Sequence, residues 1–304
     1  MRKFSAIVLA GLVLAGFAYY LLILQVSDVD RSLYGFDLDE VRSLATNTEG
    51  ALPVAINTEA PFSLEFPGAA VVTGQGWALQ PIPIYAYQVV YPQGHLMIDS
   101  ALTTAQAAEM GASGAPDDGG SNERLIQALS DARHIVFTHE HGDHIGGAVG
   151  HPQALELLDN VRLTERQLSD LEVWGGTTYP QGALDNYTPL AYEKHHVLAP
   201  GIVLIEAAGH TPGSQIIYVR LQNDQEYLFI GDVAWNYAGI NLVRPRPNLV
   251  SRFFLGEDRS RTHAQVAALK ELEAANPDLA IIVGHDGSRT EAQIASGLLN
   301  NRFQ

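Results

Sequence analysis

The chain has 304 residues, 46% of them hydrophobic, and a formal net charge of −16 at pH 7. This length and composition are sufficient for a folded domain with a substantial core. The negative charge repels phosphate backbones, which argues against a nucleic-acid partner and favours a small neutral or cationic substrate. Because the chain contains no cysteine, thiolate metal sites, disulfides and cysteine nucleophiles are excluded, and any metal must be bound by imidazole and carboxylate.

The N-terminal segment is a candidate membrane helix. It contains no charged residue from Phe4 to Ser27, and about 20 apolar residues are enough to cross a bilayer. Arg2 and Lys3 precede this run and Asp28 follows it, which predicts a cytoplasmic N-terminus and export of the remaining chain. We therefore expect an inner-membrane anchor at residues 1–28 that holds the rest of the protein in the periplasm.

A cleaved signal peptide is the alternative interpretation of this segment. Gly16 and Ala18 form a small-x-small site at which cleavage would release the protein into the periplasm. No hydrophobic periodicity is sustained from residue 29 to residue 60, so we expect a linker there. The catalytic domain is expected at residues 61–304.

The remaining sequence alternates between predicted strands and predicted helices. Short runs rich in β-branched and aromatic residues predict strands at 82–91, 96–98, 134–138, 202–206, 215–221, 227–230 and 279–283. Helices are predicted at 122–131, 164–174 and 262–275, the second beginning with a capping box of Thr164 and Gln167. This mixture predicts an α/β layered domain.

The densest cluster of chemical groups has the sequence THEHGDH, from Thr138 to His144. In an extended strand, residues two apart point the same way, so His139 and His141 can bind one metal. A turn after His141 would bring Asp143 and His144 to a second metal position.

Three further motifs complete the expected ligands. His210 lies in a Gly-His-Thr-Pro-Gly-Ser turn, Asp232 follows a glycine, and His285 lies between glycine and aspartate, each just beyond a predicted strand. With the first cluster they form two sets of three ligands and one carboxylate placed to bridge. Such ligands suit zinc and also iron or manganese. The other histidines lack ligand spacing and are excluded: His95, His134, His151, His195, His196 and His263.

From Pro61 to Phe303 the chain resembles the metallo-β-lactamase-fold hydrolase superfamily. The resemblance rests on Asp99, the motif at 139–144, His210, Asp232 and His285, in the family's order. It implies an αββα sandwich with the site along one edge of the paired sheets, and two zinc ions as cofactors.

The resemblance also implies a role for each of these residues. His139, His141 and His210 would bind the first metal, Asp143, His144 and His285 the second, and Asp232 would bridge them, while Asp99 orients a ligand. A pair of metals activates a shared water for attack on a lactone, ester, thioester or amide. Asp143 would transfer the proton that moves to the leaving group.

Among the superfamily, the chain looks most like the acyl-homoserine lactonases. Those enzymes usually have a tyrosine three residues beyond the bridging aspartate, where this chain has Trp235. We therefore expect hydrolysis of a lactone or related ester, with Trp235, Tyr237, Arg244 and Arg246 as candidate substrate-binding residues. Further aromatic candidates for the pocket wall are Trp174, Tyr179, Tyr187, Tyr192, Phe253 and Phe254.

Three alternatives stay open. A zinc β-lactamase would suit export, but two subclasses need a cysteine ligand and the third usually lacks the bridging aspartate. A glyoxalase-II-like thioesterase has the same ligand set. A non-catalytic metal-binding protein would have lost ligands, and here none is lost. No oligomeric state is predicted.

Overall fold

The computed structural model of the chain describes residues 2–114, 119–169 and 171–304. Its strands are β1 (Ala55–Pro67), β2 (Leu79–Val90), β3 (His95–Ile98), β4 (Ser113–Gly114), β5 (Ile135–Val136), β6 (Val161–Arg162), β7 (His195–Ala199), β8 (Ile202–Glu206), β9 (Gln215–Arg220), β10 (Glu226–Phe229) and β11 (Leu279–Ile282). They form a six-stranded sheet in the order β4-β1-β2-β3-β5-β6 and a five-stranded sheet in the order β11-β10-β9-β8-β7.

The helices connect these strands and cover the sheets. They are α1 (Arg2–Tyr19), α2 (Leu38–Thr46), α3 (Gly68–Val71), α4 (Thr104–Met110), α5 (Ser121–Asp131), α6 (Gly142–Val149), α7 (Ala154–Leu157), α8 (Glu165–Ser169), α9 (Leu171–Gly175), α10 (Tyr237–Leu242), α11 (Arg259–Ala275) and α12 (Gly287–Ala295). A π-helical segment at Leu249–Phe254 precedes α11.

The alternation of side chains along the strands builds the layers. In β9, Ile217 and Val219 pack in the core between the two sheets, whereas Ile216 and Tyr218 pack against helices on the outer face. Successive residues of a strand point to opposite faces, so a strand buried on both faces is apolar throughout. Helices α2 and α11 cover the five-stranded sheet, and α4, α5 and α6 cover the six-stranded one.

The predicted helix at 164–174 is present as α8 and α9, with Asp170 between them outside the described residues. Its capping box forms as expected: the Gln167 backbone N–H donates to Thr164 Oγ1 at 3.1 Å, and the Thr164 N–H donates to Gln167 Oε1 at 3.0 Å. The last predicted helix begins at Arg259, three residues before the expected start, because Asp258 caps it through the Arg261 N–H at 3.0 Å.

Residues 29–60, where we expected a linker, contain regular structure. Helix α2 buries Leu38, Val41 and Ala45 against the five-stranded sheet, and β1 begins at Ala55 rather than near residue 61. The expectation of an unstructured linker was wrong there, because only three buried positions of one short helix carry the signal. The placing of a domain boundary at residue 61 stays a prediction.

The N-terminal segment is helical. The segment Phe4–Leu24 is long and apolar enough to cross a membrane. Its mean hydropathy is 2.5, and only 6% of its most apolar stretch is buried. Helix α1 continues into a π-helical turn at Tyr20–Leu24, and Ile23 in that turn is buried.

Candidate metal centre

The topology brings the expected ligands to one edge of both sheets. Strands β3 and β5 are parallel, as are β10 and β11, so their carboxyl ends meet at the same edge. Asp99 follows β3, His139 follows β5, Asp232 follows β10 and His285 follows β11. Strand-end loops in layered α/β proteins are the usual place for a site, and here they converge.

Helix α6 positions the ligands that follow His139. His141 is its N-cap, and Asp143 and His144 lie in its first turn. The helix packs directly on the loop after β3: the Ser100 N–H donates to the His144 carbonyl at 2.7 Å. A Cβ atom on Gly147 would lie 1.9 Å from the Ser100 carbonyl oxygen, so glycine is required for this close approach.

The first ligand group joins three imidazoles and one carboxylate. His141 Nδ1 lies 3.1 Å from His139 Nε2 and 2.9 Å from His210 Nε2. Asp232 Oδ2 lies 3.3 Å from His210 Nε2 and 3.7 Å from His139 Nε2. These four side chains can all offer an atom to one metal ion.

The second ligand group lies on the other side of Asp232. His285 Nε2 and His144 Nε2 lie 3.6 and 3.8 Å from Asp143 Oδ2. They lie 3.0 and 3.5 Å from Asp232 Oδ1. The two oxygens of Asp232 therefore face different ligand groups, as a bridging carboxylate requires.

The residues present fit a pair of divalent cations. Among the described residues, His144 Nε2 and Asp232 Oδ1 are buried and have no hydrogen-bond partner. Buried polar atoms are normally satisfied, so these two atoms point to a missing partner. Imidazole and carboxylate donors suit zinc, iron or manganese equally well in type.

Comparison with known proteins identifies the family. The family model of the metallo-β-lactamase superfamily matches residues 79–285, which is more than half of the chain. This chain belongs to the metallo-β-lactamase superfamily. The search of curated proteins finds no match.

Solved structures show the same superfamily fold. The chain is similar to a quorum-quenching N-acyl homoserine lactone lactonase, with a TM-score of 0.62 and 16% identity over 80% of this chain and 97% of that chain. An N-acyl homoserine lactone hydrolase with N-hexanoyl-L-homoserine at its catalytic metal centre gives 0.61 and 16%, over 79% and 96%. A probable metal-dependent hydrolase from Staphylococcus aureus gives 0.57 and 16%, over 78% and 91%.

Neighbouring groups fix the orientation of the candidate ligand histidines. In each of four, Nδ1 lies near an oxygen while Nε2 faces the other ligands, which sets ring orientation and tautomer. The pairs are His139 with Thr138 Oγ1 at 3.1 Å, His144 with Asp99 Oδ2 at 2.9 Å, His210 with Glu257 Oε1 at 2.6 Å and His285 with the Pro83 carbonyl at 2.8 Å.

Asp99 links two of these ligand contacts. The Thr138 backbone N–H donates to Asp99 Oδ1 at 2.7 Å, and the Thr138 hydroxyl donates to Asp99 Oδ2 at 2.8 Å. The same Oδ2 lies beside His144. We expected Asp99 to orient a ligand, and the candidate ligand that it contacts is the His144 ring.

Two buried glutamates at the site were missed in the sequence. Glu257 contacts both His210 and Arg246. Burial opposes its charge, yet the Arg246 guanidinium and the hydrogen bond with His210 lower its pKa to about 2.

Glu140 accepts hydrogen bonds from the Gly213 N–H at 3.0 Å and the Thr211 hydroxyl at 2.8 Å, which fastens the turn that carries His210. The sequence indicated Glu140 only by its position between two candidate ligand histidines, His139 and His141. No sequence spacing relates Glu257 to His210.

The electrostatics of the site favour cations. Burial lowers the pKa of His139 well below its usual value and that of His141 to about 3. Burial acts the same way on His144 and His285, but nearby carboxylates outweigh it and raise their pKa values. The neighbouring imidazolium charges hold the pKa of Asp232 well below its usual range, despite its burial. The carboxylates of the site therefore favour positive charge beside them in this buried space.

A cavity of about 380 Å³ opens beside the ligands His141, Asp143, Asp232 and His285. Its walls are largely apolar and include Leu64, Phe66, Ile82, Met110, Val173, Trp174, Trp235, Phe254 and Leu255. Among the residues that the structure describes, no lysine or arginine lines it. The expected aromatic candidates Tyr179, Tyr187, Tyr192, Tyr237 and Phe253 lie outside its lining.

Of the four expected substrate-binding residues, Trp235 alone lines this cavity. Arg246 is buried beneath the Trp235 ring, at 5.0 Å from its centroid, and donates to the Asp232 carbonyl at 2.6 Å. Arg244 donates to the Thr73 carbonyl at 3.4 Å, and the Tyr237 hydroxyl donates to Glu273 at 2.6 Å. Neither arginine lines the cavity, and both guanidinium groups are directed at protein acceptors, so their role in binding substrate stays a prediction.

Trp235 also contacts the bridging carboxylate. Its indole Nε1–H donates to Asp232 Oδ2 at 2.5 Å. The tryptophan that replaces the usual tyrosine therefore supplies a hydrogen-bond donor to the centre as well as part of the cavity wall.

Proposed function

We propose that the protein is a binuclear metal hydrolase, with zinc as the cofactor, that opens lactones or related esters carrying an apolar acyl group. The observation that carries the proposal is Asp232, whose two oxygens face the two ligand groups. Membership of the metallo-β-lactamase superfamily and the lactonase neighbours, one with N-hexanoyl-L-homoserine at its metal centre, support the same reaction.

Two metals bound at these ligands would supply an activated water at neutral pH and polarise the scissile carbonyl. Of the two candidate ligand carboxylates that line the cavity, Asp143 is the more exposed, with 16% of its side chain accessible against 3% for Asp232. It is therefore placed to accept a proton from the attacking water and deliver it to the departing oxygen. Trp235 holds Asp232 in its bridging position through the indole N–H.

The cavity wall favours a neutral lactone over a β-lactam. Penicillins and carbapenems carry a carboxylate, for which a binding site needs a cationic or strong hydrogen-bonding partner. Besides the candidate ligands, the described lining is mainly apolar, has two neutral polar side chains, Gln106 and Thr177, and offers no cation. Its one further carboxylate, Glu109, would repel such an anion. An acyl chain would instead be bound by Phe66, Trp174 and Phe254.

A substrate panel tests the proposal. Zinc-loaded full-length protein is expected to hydrolyse acyl-homoserine lactones with a kcat/KM at least about tenfold above that for penicillins, a difference of about 1.4 kcal/mol. Asp232→Ser is expected to abolish lactone turnover. Efficient hydrolysis of penicillins or carbapenems without any turnover of lactones or thioesters would overturn the lactonase proposal.

We further propose that the apolar N-terminal segment remains attached as an inner-membrane anchor and that the catalytic domain faces the periplasm. The folded domain contacts the end of this helix: Asn248 Nδ2 donates to the Leu21 carbonyl at 2.7 Å, and Arg259 Nη2 donates to the Gln25 carbonyl at 3.0 Å. Membrane fractionation with N-terminal sequencing tests this. A soluble mature protein that starts near Tyr19 would show cleavage instead.

A further inference from the structure

The end of the N-terminal helix is fastened beside the cavity. Besides the contacts of Asn248 and Arg259, the Trp77 indole N–H donates to the Tyr19 hydroxyl at 3.2 Å, and Ile23 is buried. These contacts set where the chain leaves the apolar helix and enters the folded domain.

One π-helical segment links this attachment to the cavity. Asn248 stands directly before Leu249–Phe254, and Phe254 at the other end lines the cavity. Six residues of this tightly wound segment span less than the roughly 9 Å that they would cover at the α-helical rise of about 1.5 Å per residue. The cavity therefore opens within about two helical turns of the point where the apolar helix ends.

Large exposed apolar side chains lie near this opening and near the end of the apolar helix. Val173 and Phe254 line the cavity, Leu249 and Phe253 lie on the same π-helical segment as Phe254, and Trp77 contacts Tyr19. We call these five residues the apolar rim; Val173 is 78%, Phe253 73% and Phe254 70% accessible. Groups of exposed apolar side chains mark interaction surfaces in soluble domains. Aromatic and aliphatic side chains next to a membrane segment are favoured in the headgroup and acyl boundary.

We infer that the apolar rim inserts into the same phospholipid bilayer that holds the N-terminal helix, so that the cavity takes acyl substrates from the lipid phase. This inference rests on the proposed anchor and hydrolase activity. The occupant is a bilayer because the rim is continuous, through Trp77 and Asn248, with a helix long enough to span one. Arg252, exposed on the same π-helical segment, is placed to remain at the headgroup level.

Site-specific fluorescence tests the insertion without reference to catalysis. Because the chain contains no cysteine, Phe253→Cys and the control Leu155→Cys each provide one labelling site. Leu155 is a matched exposed apolar residue on α7, outside the rim. Full-length protein carrying an environment-sensitive dye is reconstituted in phosphatidylcholine nanodiscs with nitroxide-labelled lipid.

The Phe253 probe is expected to shift to the blue and to be quenched at least about twofold more than the Leu155 probe. Equal and weak quenching of both probes would overturn the inference. If the nitroxide lipid does not quench the Phe253 probe but its emission changes with protein concentration, the rim contacts a second copy of the chain. That result would also overturn the inference.

A paired rate measurement tests the delivery of substrate. Phe253→Asp is expected to slow hydrolysis of a long-chain nitrophenyl ester dissolved in the nanodisc at least fivefold, and to leave a short water-soluble ester unaffected, while Leu155→Asp changes neither rate. An unchanged long-chain rate in Phe253→Asp would contradict delivery from the lipid. Absence of any ester or lactone hydrolysis by the unmodified protein would refute the proposed function, whereas the quenching result would still decide insertion.

Discussion

At the scale of single residues, the bridging carboxylate is the most informative side chain. Asp232 is buried, its oxygens face different ligand groups, and it accepts a hydrogen bond from Trp235. A tyrosine at that position would extend a hydroxyl into the cavity. Here the indole instead supports a metal ligand, with Arg246 packed behind its ring.

Trp235→Phe is expected to lower kcat/KM for a lactone about tenfold or more. The variant keeps an aromatic wall but removes the N–H donor, and a hydrogen bond to a charged group contributes about 1.5–3 kcal/mol. Trp174→Phe is the control, since it makes the same exchange in the same cavity at a ring that packs on His141 and does not donate to Asp232. Equal losses in steady-state assays of the two variants would contradict the supporting role of the indole.

Glu257→Gln is expected to weaken zinc binding at the first position about 10- to 100-fold, because removing a carboxylate beside a ligand histidine typically costs that much. Its oxygen lies 2.6 Å from His210 Nδ1. Chelator competition measures the affinity, and thermal unfolding checks that the variant folds. The control is Glu226→Gln, which weakens a carboxylate–Arg42 pair away from the site. A zinc affinity no lower than that of the control would disprove the contribution.

The expected metal ligands were predictable because imidazole and carboxylate at fixed spacing beyond strand ends are rare by chance. The substrate residues were harder to predict. Arg246 lies close to the site, as expected, but its guanidinium is directed at Glu257 and the Asp232 backbone. Sequence spacing gives proximity in such cases, whereas the direction of a long side chain depends on partners that are distant in the chain.

At the scale of elements, strands buried on both faces were the most predictable feature. Residues 216–219 of β9 and the whole of Leu279–Ile282 are apolar because these strands separate two cores. Helix α2 was missed since its apolar face is short. Strand β1 was missed as well, and in its amino half Asn57, Thr58 and Glu59 are buried polar residues. Their hydrogen-bond partners, such as Gln88 for Asn57 at 2.7 Å, come from other strands.

Helix α6 packs closely against the loop after β3, and substitution of a glycine at this contact tests how much the packing contributes to stability. Gly147→Ala is expected to destabilise the fold by about 1–3 kcal/mol through overpacking and to weaken the second metal position, because α6 must move away from Ser100. Gly146→Ala is the control, since its methyl group would meet the far end of a side chain, Gln106 Oε1 at 2.7 Å, rather than backbone. Urea unfolding compares the two, and equal stabilities would refute the close-packing argument.

At the scale of the whole molecule, two sheets, the helices outside them and an apolar N-terminal helix meet at one edge. The candidate ligands lie at that edge, the cavity opens beside them, and the apolar rim lies near both the opening and the attached helix. The proposed metal binding, acyl recognition and membrane contact would therefore all lie along one side of the protein.

Metal stoichiometry tests the central claim most directly. Full-length protein stripped by a chelator and reloaded with zinc is expected to bind two ions per chain and to regain lactone hydrolysis. His139→Ala is expected to lose an ion and the activity while keeping the fold, whereas His196→Ala, a histidine stacked on Tyr192 away from the site, should keep both. One ion or none in the unmodified protein, or lactone hydrolysis that survives chelation, would contradict the two-metal account.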